Sequence, residues 1–264
     1  MKRILIFTST IFLLSSFTKN AGSPTDCHVT NTAFKTGEHM TYKIAFKWGA
    51  IWLAAGEASF DLENATYNNK PCLHAIGYGS TYRSYDWFFK VRDKYETYFD
   101  EQTMLPHKFV RDVYEGGYTI YNNVTFKHNE GKATSTHGTF SIPDCSQDVL
   151  SAVYYMRCID MSKYKVNDTI PIKVFLDDIN YPLYVRYVGK EVLNTKAGKF
   201  NCIVIKPLLI KGTIFKGGEE MKVYVTDDAN HIPVRVASPI LIGEIMCELV
   251  DYSGLRNPMT AKIK

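Results

Sequence analysis

The chain has 264 residues, of which 45% are hydrophobic and 14% aromatic. This composition can bury a substantial core and excludes an intrinsically disordered chain. The formal net charge is only +4, from 31 basic and 27 acidic residues, so the molecule as a whole has no strong field to hold nucleic acid or an anionic membrane.

An apolar segment follows two basic residues at the N-terminus. After Lys2 and Arg3, roughly 14 apolar residues extend over positions 4–17, and small residues follow. This pattern is typical of a secretory signal peptide, so residues 1–23 are expected to be cleaved and residues 24–264 to form one mature domain. The alternative is a retained membrane anchor, but a spanning helix needs about 20 apolar residues. No later stretch is long and apolar enough to span a bilayer.

Apolar and polar residues alternate along most of the chain that follows. In TYKIAFKW, the large apolar side chains share one face: Tyr42, Ile44, Phe46 and Trp48. Similar alternation predicts further strands near residues 57–62, 71–82, 118–127, 169–176, 183–193, 200–205 and 220–225. Short turns rich in Gly and Asn separate them. The sequence therefore predicts a mainly β fold, with one long, curved antiparallel sheet that forms a closed or half-open barrel.

One helix is predicted in the middle of the chain, within DCSQDVLSAVYYMR. Asp144 and Gln147 have the spacing of a capping pair. The apolar residues that follow share one helical face: Val149, Ala152, Val153 and Met156. This helix is expected to lie against the sheet or to plug one end of it. A second, shorter helical turn is predicted in YRSYDWFFKVRD.

The chain contains six cysteines. Their even number is compatible with disulfides in an exported protein, but several lie in apolar stretches and would equally suit a packed core. No pair has the short spacing of a zinc site, so no metal or other cofactor is predicted. Cys27 follows Pro-Thr-Asp instead of the triplet of a lipoprotein signal, which argues against a lipid anchor.

A polar cluster in TDDANHIPVRV is a candidate for acid–base chemistry. Asp227 and Asp228 are adjacent, however, and consecutive residues of an extended chain point to opposite faces. Asp-Asp-Ala-Asn is also typical of a tight hairpin connection, in which Asn-Gly could replace both aspartates with little effect on folding. A hydrolase would depend on these two residues together with His74 and His231. The chain has no G-x-S-x-G, no H-E-x-x-H, no G-x-G-x-x-G after a strand and no phosphate loop, so no enzyme is predicted.

Aromatic residues are abundant: the chain has 3 Trp, 18 Tyr and 15 Phe. These rings can fill the interior of a barrel, or they can line an apolar cavity that the helix covers. Alternation does not separate a filled interior from a hollow one. For a hollow interior, the candidate ligand-binding residues are Tyr42, Phe46, Trp48, Trp52, Tyr82, Trp87 and Phe88.

Five blocks of sequence are specific in combination, although none is a catalytic signature. They are FKTGEHMTYKIAFKWGAIWLAAGEASF, FKVRDKYETYFD, MLPHKFVRDVYEGGY, QDVLSAVYYMR and VTDDANHIPVRVASPILIGEIMCELVDY. Together, over residues 34–255, they resemble the bacterial exported family catalogued as domain of unknown function 3108. The resemblance implies a Gram-negative, Bacteroides-like source and a location in the periplasm or on the periplasmic face of the outer membrane. By a looser analogy, the fold is similar to that of periplasmic lipoprotein carriers of the LolA and LolB type, which hold acyl chains in a half-open barrel; fold alone does not fix function.

These expectations combine into a hypothesis about function. The protein is expected to be an exported cell-envelope protein that binds or carries an apolar or amphipathic ligand, such as a lipid or another hydrophobic small molecule, without catalysis. Two alternatives remain open: a structural or protein-interaction module of the envelope, and an envelope hydrolase. No nucleic-acid partner is expected, and the sequence does not indicate a protein partner.

Overall fold

The computed structural model describes residue 27 and residues 29–49, 51–210, 217–240 and 243–263, apart from the side chain of Trp48. The expected signal peptide lies outside these ranges. The strands are β1 (His39–Trp48), β2 (Ile51–Tyr67), β3 (Lys70–Thr81), β4 (Val91–Phe99), β5 (Pro106–Glu115), β6 (Tyr118–Lys127), β7 (Lys132–Ser135), β8 (Gly138–Ser141), β9 (Ser146–Gln147), β10 (Thr169–Leu176), β11 (Ile179–Thr195), β12 (Gly198–Pro207), β13 (Lys222–Thr226), β14 (Pro233–Pro239), β15 (Glu244–Ser253) and β16 (Lys262–Ile263). The α-helix is α1 (Val149–Arg157), and short 3-10 turns occupy Arg83–Tyr85, His128–Glu130 and Met161–Lys163.

All of these strands belong to one sheet. Its order is β8-β7-β6-β5-β4-β3-β2-β1-β15-β14-β13-β12-β11-β10-β9, and β16 pairs with β12. The chain thus runs outwards from β1 to one edge at β8, crosses to the other edge at β9, and returns from β10 to β15, which pairs with β1. The pairing of β9 with β10 is parallel, and the others are antiparallel.

The connections between strands alternate between two rims of the sheet from β1 to β8 and from β10 to β15, because consecutive strands within each of these runs have opposite directions. We call the upper rim the one that carries the connections β1–β2, β3–β4, β5–β6, β7–β8, β10–β11, β12–β13 and β14–β15. The lower rim carries the opposite connections, including β11–β12 and β13–β14.

The sheet curls until its two edge strands approach each other. β8 ends at Ser141 and β9 begins at Ser146, so only a short connection separates the edges. Asn180 Nδ2 donates to Ser141 O at 2.7 Å, and the Phe140 and Phe175 rings lie 5.9 Å apart. Within the described residues, side chains bridge the edges and no backbone ladder joins β8 to β9. The predicted curved antiparallel sheet in a half-open, barrel-like form is confirmed.

Helix α1 packs against β3 and β4 on one side and against β10 on the other. Asp148 Oδ1 accepts hydrogen bonds from the N–H groups of Leu150 and Ser151, both at 2.8 Å, and Ser151 Oγ accepts from the Asp148 N–H at 3.0 Å. This capping box satisfies donors that the first turn leaves unpaired. The helix was predicted, but its predicted cap, Asp144 with Gln147, is wrong because Gln147 belongs to β9 and the helix begins after it.

Aromatic side chains fill the half of the interior that lies under β2–β6. The Phe34 ring lies 4.9 Å from that of Tyr154 and 6.3 Å from that of Phe99. Phe109 and Phe126 are buried in the same cluster. Rings of this size leave little free space between the helix and these strands.

The six cysteines include both a disulfide pair and free thiols. Cys27 and Cys145 form a disulfide, which ties the segment before β1 to the connection between the two edge strands. The remaining four have free thiols: Cys72, Cys158, Cys202 and Cys247. A disulfide across 118 residues of sequence restricts the unfolded chain and so stabilises the fold.

Candidate functional site

A cavity of about 490 Å³ lies between helix α1 and strands β10–β14. Most of the side chains around it are aliphatic or methionine. They include Val149, Ala152, Val153 and Met156 of the helix, Ile172 and Val174 of β10, Leu183 and Val185 of β11, Ile205 of β12, Val223 and Val225 of β13, and Val236 of β14. Both the volume and the apolar lining are typical of small-molecule sites, which occupy about 300–1,000 Å³.

The hollow follows from the size of the side chains that face it. Alternate residues of β10, β11 and β13 place Ile, Val and Leu on the inner face, and the helix presents Ala152 and Val153 opposite them. Within the described residues, aromatic rings line the cavity at Tyr42, Phe60, Tyr154 and Tyr184. Short side chains on elements held at a fixed separation leave space that larger rings fill in the other half of the interior.

The cavity extends from one rim towards the other. Residues 208–210, in the β12–β13 connection, line it at the upper rim and are half-buried. His231 and Pro233 line it near the lower rim. Val153 lines it as well and is 42% exposed, so the cavity reaches solvent beside the helix.

A buried ion pair lies at the lower end of the cavity. Arg157 Nη1 and Nη2 donate to Glu38 Oε1 and Oε2 at 2.6 and 2.8 Å, and the two side chains are 3% and 0% exposed. Arg157 Nε donates to Asn230 O at 3.1 Å. The guanidinium lies 5.2 Å from the centre of the Phe34 ring and 5.4 Å from that of Tyr154. The cation that lines the cavity is therefore already neutralised within the protein.

Other titratable side chains of the lining are also held in place. Burial raises the pKa of Tyr42, whose hydroxyl donates to Pro233 O at 2.9 Å. Burial raises the pKa of the Cys247 thiol to about 12, so the thiol stays protonated near neutral pH and is a poor nucleophile. His231 Nδ1 donates to Arg157 O at 2.7 Å. These groups can border an apolar ligand, and their state does not activate a nucleophile.

The polar cluster at Asp227 and Asp228 forms the connection between β13 and β14, as expected. Asp228 Oδ1 accepts from Thr226 Oγ1 at 2.8 Å and from the Asn230 N–H at 3.0 Å. Its Oδ2 accepts from the Ala261 N–H at 3.1 Å. These contacts argue against the expectation that Asn-Gly could replace both aspartates with little effect on folding, because glycine at position 228 would leave three donors without their acceptor.

A smaller pocket of about 180 Å³ lies beside this connection. Its lining is mainly polar: Asp160, Met161, Ser162, Lys190, Ile203, Asp227, Asp228, Ala229 and His231. Lys190 Nζ lies 2.8 Å from the Asp227 carboxylate, and Asp160 accepts from Ser162 Oγ at 2.6 Å. These charges are paired within the protein, so the pocket offers a bound molecule little unpaired charge.

The four residues considered for a hydrolase do not converge on one point. Asp227, Asp228 and His231 border the smaller pocket at the lower rim. His74 lies in β3, where its Nε2 is 3.1 Å from Glu96 Oε1. Burial lowers the pKa of His74, which favours the neutral ring. This histidine is part of a side-chain contact between β3 and β4.

The seven predicted ligand-binding aromatic residues lie in different places. Tyr42 is buried and lines the cavity. Phe46 lies higher on β1, next to Gly243 of the β14–β15 connection, and the side chain of Trp48 lies outside the described part. The other four are at the upper rim and do not line the cavity: Trp52, Tyr82, Trp87 and Phe88. These four lie in the β1–β2 hairpin and the β3–β4 connection, which extend beyond the cavity. Among the candidates whose side chains are described, Tyr42 alone lies in the cavity wall.

The aliphatic lining was not among the predicted candidates. Its signal in the sequence is a contrast between the two halves of the sheet. The inner faces of β4–β6 carry phenylalanines such as Phe99, Phe109 and Phe126, whereas those of β10 and β13 carry Ile and Val. That contrast predicts where free space lies only once both halves of the sheet are known to face the same helix.

The described residues contain no cluster of three or more His, Cys, Asp or Glu side chains that could hold a metal ion. Within the same part of the chain, no helix has the length and apolar character needed to cross a membrane.

Solved structures include a protein with a similar fold. A β-barrel-like protein of domain of unknown function DUF1849 from Brucella abortus superposes with a TM-score of 0.56 at 10% identity, over 84% of this chain and 99% of that one. More distant are a "putative lipoprotein" from Parabacteroides distasonis, with a TM-score of 0.35, 13% identity and coverage of 85% and 99%, and a "putative exported protein" with a YmcC-like fold from Bacteroides fragilis, with values of 0.33, 11%, 85% and 99%. None of the curated proteins matches the sequence.

One family model matches residues 41–250, from β1 into β15. The matched stretch includes helix α1 and strands β10–β14, between which the cavity lies. The chain therefore belongs to the family described as protein of unknown function DUF3108.

Proposed function

We propose that this protein is an exported cell-envelope protein that binds an apolar or amphipathic ligand between helix α1 and strands β10–β14, without catalysis. The observation that carries the proposal is the cavity of about 490 Å³ with its aliphatic wall. Packed protein interiors contain few voids larger than a water molecule, and water on such a wall gains few hydrogen bonds. A lipid chain or another hydrophobic small molecule is favoured there, because its transfer from water removes apolar surface from solvent.

The openings of the cavity support a ligand with a polar end. The lining reaches solvent beside Val153, and half-buried residues 208–210 border it at the upper rim. The apolar part of an amphipathic molecule can therefore be buried while its head group stays in water. At the opposite end, the cation of Arg157 is neutralised by Glu38, so the cavity does not favour a buried anionic group.

Two features support export. Lys2 and Arg3 precede the N-terminal apolar run in the order of a signal peptide. The disulfide between Cys27 and Cys145 suits an oxidising compartment such as the periplasm.

Binding without catalysis is supported by the state of the lining. The thiol of Cys247 has a pKa raised to about 12, and the Tyr42 hydroxyl and His231 Nδ1 are hydrogen-bonded to backbone carbonyls. A hydrolase would need an activated nucleophile or water beside the ligand, and these groups do not supply one.

Two phenylalanine substitutions on one strand test the proposal. Val236 and Val234 lie two residues apart on β14, but Val236 lines the cavity whereas Val234 is fully buried in packed core. Val236→Phe is expected to fill the hollow, to abolish binding of the fluorescent fatty acid cis-parinaric acid and to change stability little. Val234→Phe, the matched control, is expected to cost about 1–3 kcal/mol by overfilling the core and to retain binding.

The readouts are fluorescence titrations and urea unfolding of the three proteins. A wild-type protein that does not bind the fatty acid, and from which native mass spectrometry detects no co-purified ligand after isolation from its own host, would refute the proposal. Equal destabilisation by both substitutions would indicate a filled interior and favour the structural-module alternative.

A further inference from the structure

The three most exposed large hydrophobic side chains of the described residues lie at the upper rim. Trp87 is 84% exposed and Phe88 76%, both in the β3–β4 connection, and Ile51 is 63% exposed at the start of β2. The two segments are joined where the Tyr82 N–H donates to Ala55 O at 3.0 Å. We call residues 51–53 and 87–89 the apolar tip. Soluble proteins rarely expose large apolar side chains together unless they mark an interaction site.

The β3–β4 connection is held firmly although its apolar end projects. Asp86 accepts hydrogen bonds from Thr81 Oγ1 at 3.2 Å and from Arg92 Nη2 at 2.7 Å. The Phe89 ring lies across Gly116 of the β5–β6 turn, so closely that a Cβ there would be 2.3 Å from the ring. Because these contacts hold the backbone of the connection in place, the Trp87 and Phe88 side chains lose little conformational freedom when they contact a partner.

Two cationic residues flank Trp87 and Phe88 in the sequence. Arg83 and Lys90 lie on either side of Trp87 and Phe88 in sequence, and neither forms an ion pair within the described residues. The acidic residue between them, Asp86, is paired with Arg92. Tryptophan is favoured at the head-group level of a bilayer, and nearby Arg and Lys side chains can meet lipid phosphates.

We propose that the upper rim docks on a phospholipid bilayer that contains anionic lipids, with Trp87 and Phe88 inserted at the head-group level and Arg83 and Lys90 at the phosphates. A bilayer suits this surface better than a protein partner does, because the side chains project from the ends of two hairpins instead of lining a groove. The attraction to anionic lipids is expected to come from these side chains alone, because a net charge of +4 gives the molecule as a whole only a weak electrostatic field. The surface is separate from the ligand site, because these four side chains do not line the cavity.

Co-sedimentation with lipid vesicles tests the proposal. The protein is expected to bind vesicles of phosphatidylcholine with phosphatidylglycerol, and its tryptophan emission should shift to shorter wavelengths. Trp87→Ser combined with Phe88→Ser should weaken sedimentation roughly tenfold or more, because the apolar surface that enters the bilayer is lost. Arg83→Gln with Lys90→Gln should weaken binding to the anionic vesicles and reduce its dependence on salt, with little change on phosphatidylcholine alone.

A matched control removes exposed apolar side chains elsewhere. Val166 and Val192 are also exposed but lie outside the upper rim, one before β10 and one towards the lower end of β11. Val166→Ser with Val192→Ser should bind vesicles as the wild type does, and urea unfolding should show that all variants remain folded.

Three results would overturn the proposal: no binding of the wild type to either kind of vesicle, equal binding by the Trp87→Ser/Phe88→Ser variant, or a dimer of the wild type that this variant dissociates. The last result would assign the apolar tip to a second copy of the chain. Binding of cis-parinaric acid is measured in a separate titration. Failure of the membrane-docking proposal can therefore be distinguished from failure of the proposed ligand binding.

Discussion

Replacing Glu38 by glutamine is expected to destabilise the protein by about 3–5 kcal/mol, because the guanidinium of Arg157 would remain buried without its counter-charge. The two side chains are 0% and 3% exposed, so water cannot take the place of the carboxylate. The hydrogen bond to Asn230 O at 3.1 Å remains in the variant. Contacts of the guanidinium with the Phe34 and Tyr154 rings also remain, and because both proteins have these contacts they cancel in the stability difference.

A double variant separates loss of charge balance from loss of packing. Glu38→Leu with Arg157→Met keeps apolar volume and removes both charges, and such replacements are often neutral or stabilising by about 1–4 kcal/mol. Asn230 O would lose a donor, which costs about 1 kcal/mol. The double variant should therefore be much closer in stability to the wild type than Glu38→Gln is. Urea unfolding at neutral pH gives the free energies, and a cost below about 1 kcal/mol for Glu38→Gln would refute the reasoning by showing that solvent reaches the pair.

The pH dependence, the β13–β14 connection and the disulfide provide further tests. Burial raises the pKa of Asp148 from 3.8 to about 6, so the folded state binds this proton more tightly than the unfolded state. The contribution of Asp148 to stability should be fully present below about pH 4 and should fall by up to about 3 kcal/mol as the pH rises through about 6. Urea unfolding of Asp148→Asn across this range should lack that fall, and an identical pH profile would contradict the assignment. Asp228→Ala should cost about 1–3 kcal/mol through three unpaired donors, whereas Asp227→Ala removes a surface ion pair and should cost less than about 1 kcal/mol; equal unfolding midpoints would contradict this contrast. Cys145→Ser should lower stability by about 3–5 kcal/mol by opening a loop of 118 residues, and a thermal melt that matches that of the oxidised wild type would refute it.

Local patterns predicted the main elements of the fold because strand and helix periods depend on neighbouring residues. The alternation in TYKIAFKW corresponds to β1, which pairs with β2 and β15. The helical face predicted from sequence, Val149, Ala152, Val153 and Met156, is the face that borders the cavity. The cap was misplaced because a two-residue strand, β9, precedes the helix, and a strand that short has no periodic signal.

The location of the hollow could not be predicted in the same way, because it depends on residues far apart in sequence. Alternation alone places Phe109 of β5 and Val174 of β10 on inner faces, yet one lies in a filled cluster and the other borders a cavity. The difference depends on which side chains of α1 face each strand. Aromatic content was also a poor guide, since Phe34 and Tyr154 fill the core whereas Trp87 points into water. Side-chain size has to be summed over facing elements before free space can be located.

The antiparallel order of the sheet places the upper end of the cavity and the apolar tip at the same rim. The β12–β13 connection, which contains residues 208–210, and the β3–β4 connection, which contains Trp87, each join an ascending strand to a descending one. A ligand that leaves the cavity past residues 208–210 therefore emerges on the side of the molecule that carries the apolar tip. Transfer of cis-parinaric acid from the protein to vesicles would then require both an accessible cavity and a docked rim. Val236→Phe should stop transfer by preventing loading, whereas Trp87→Ser with Phe88→Ser should leave loading intact and slow transfer. If transfer from this second variant is as fast as from the wild type, the ligand leaves through solvent and the two sites act independently.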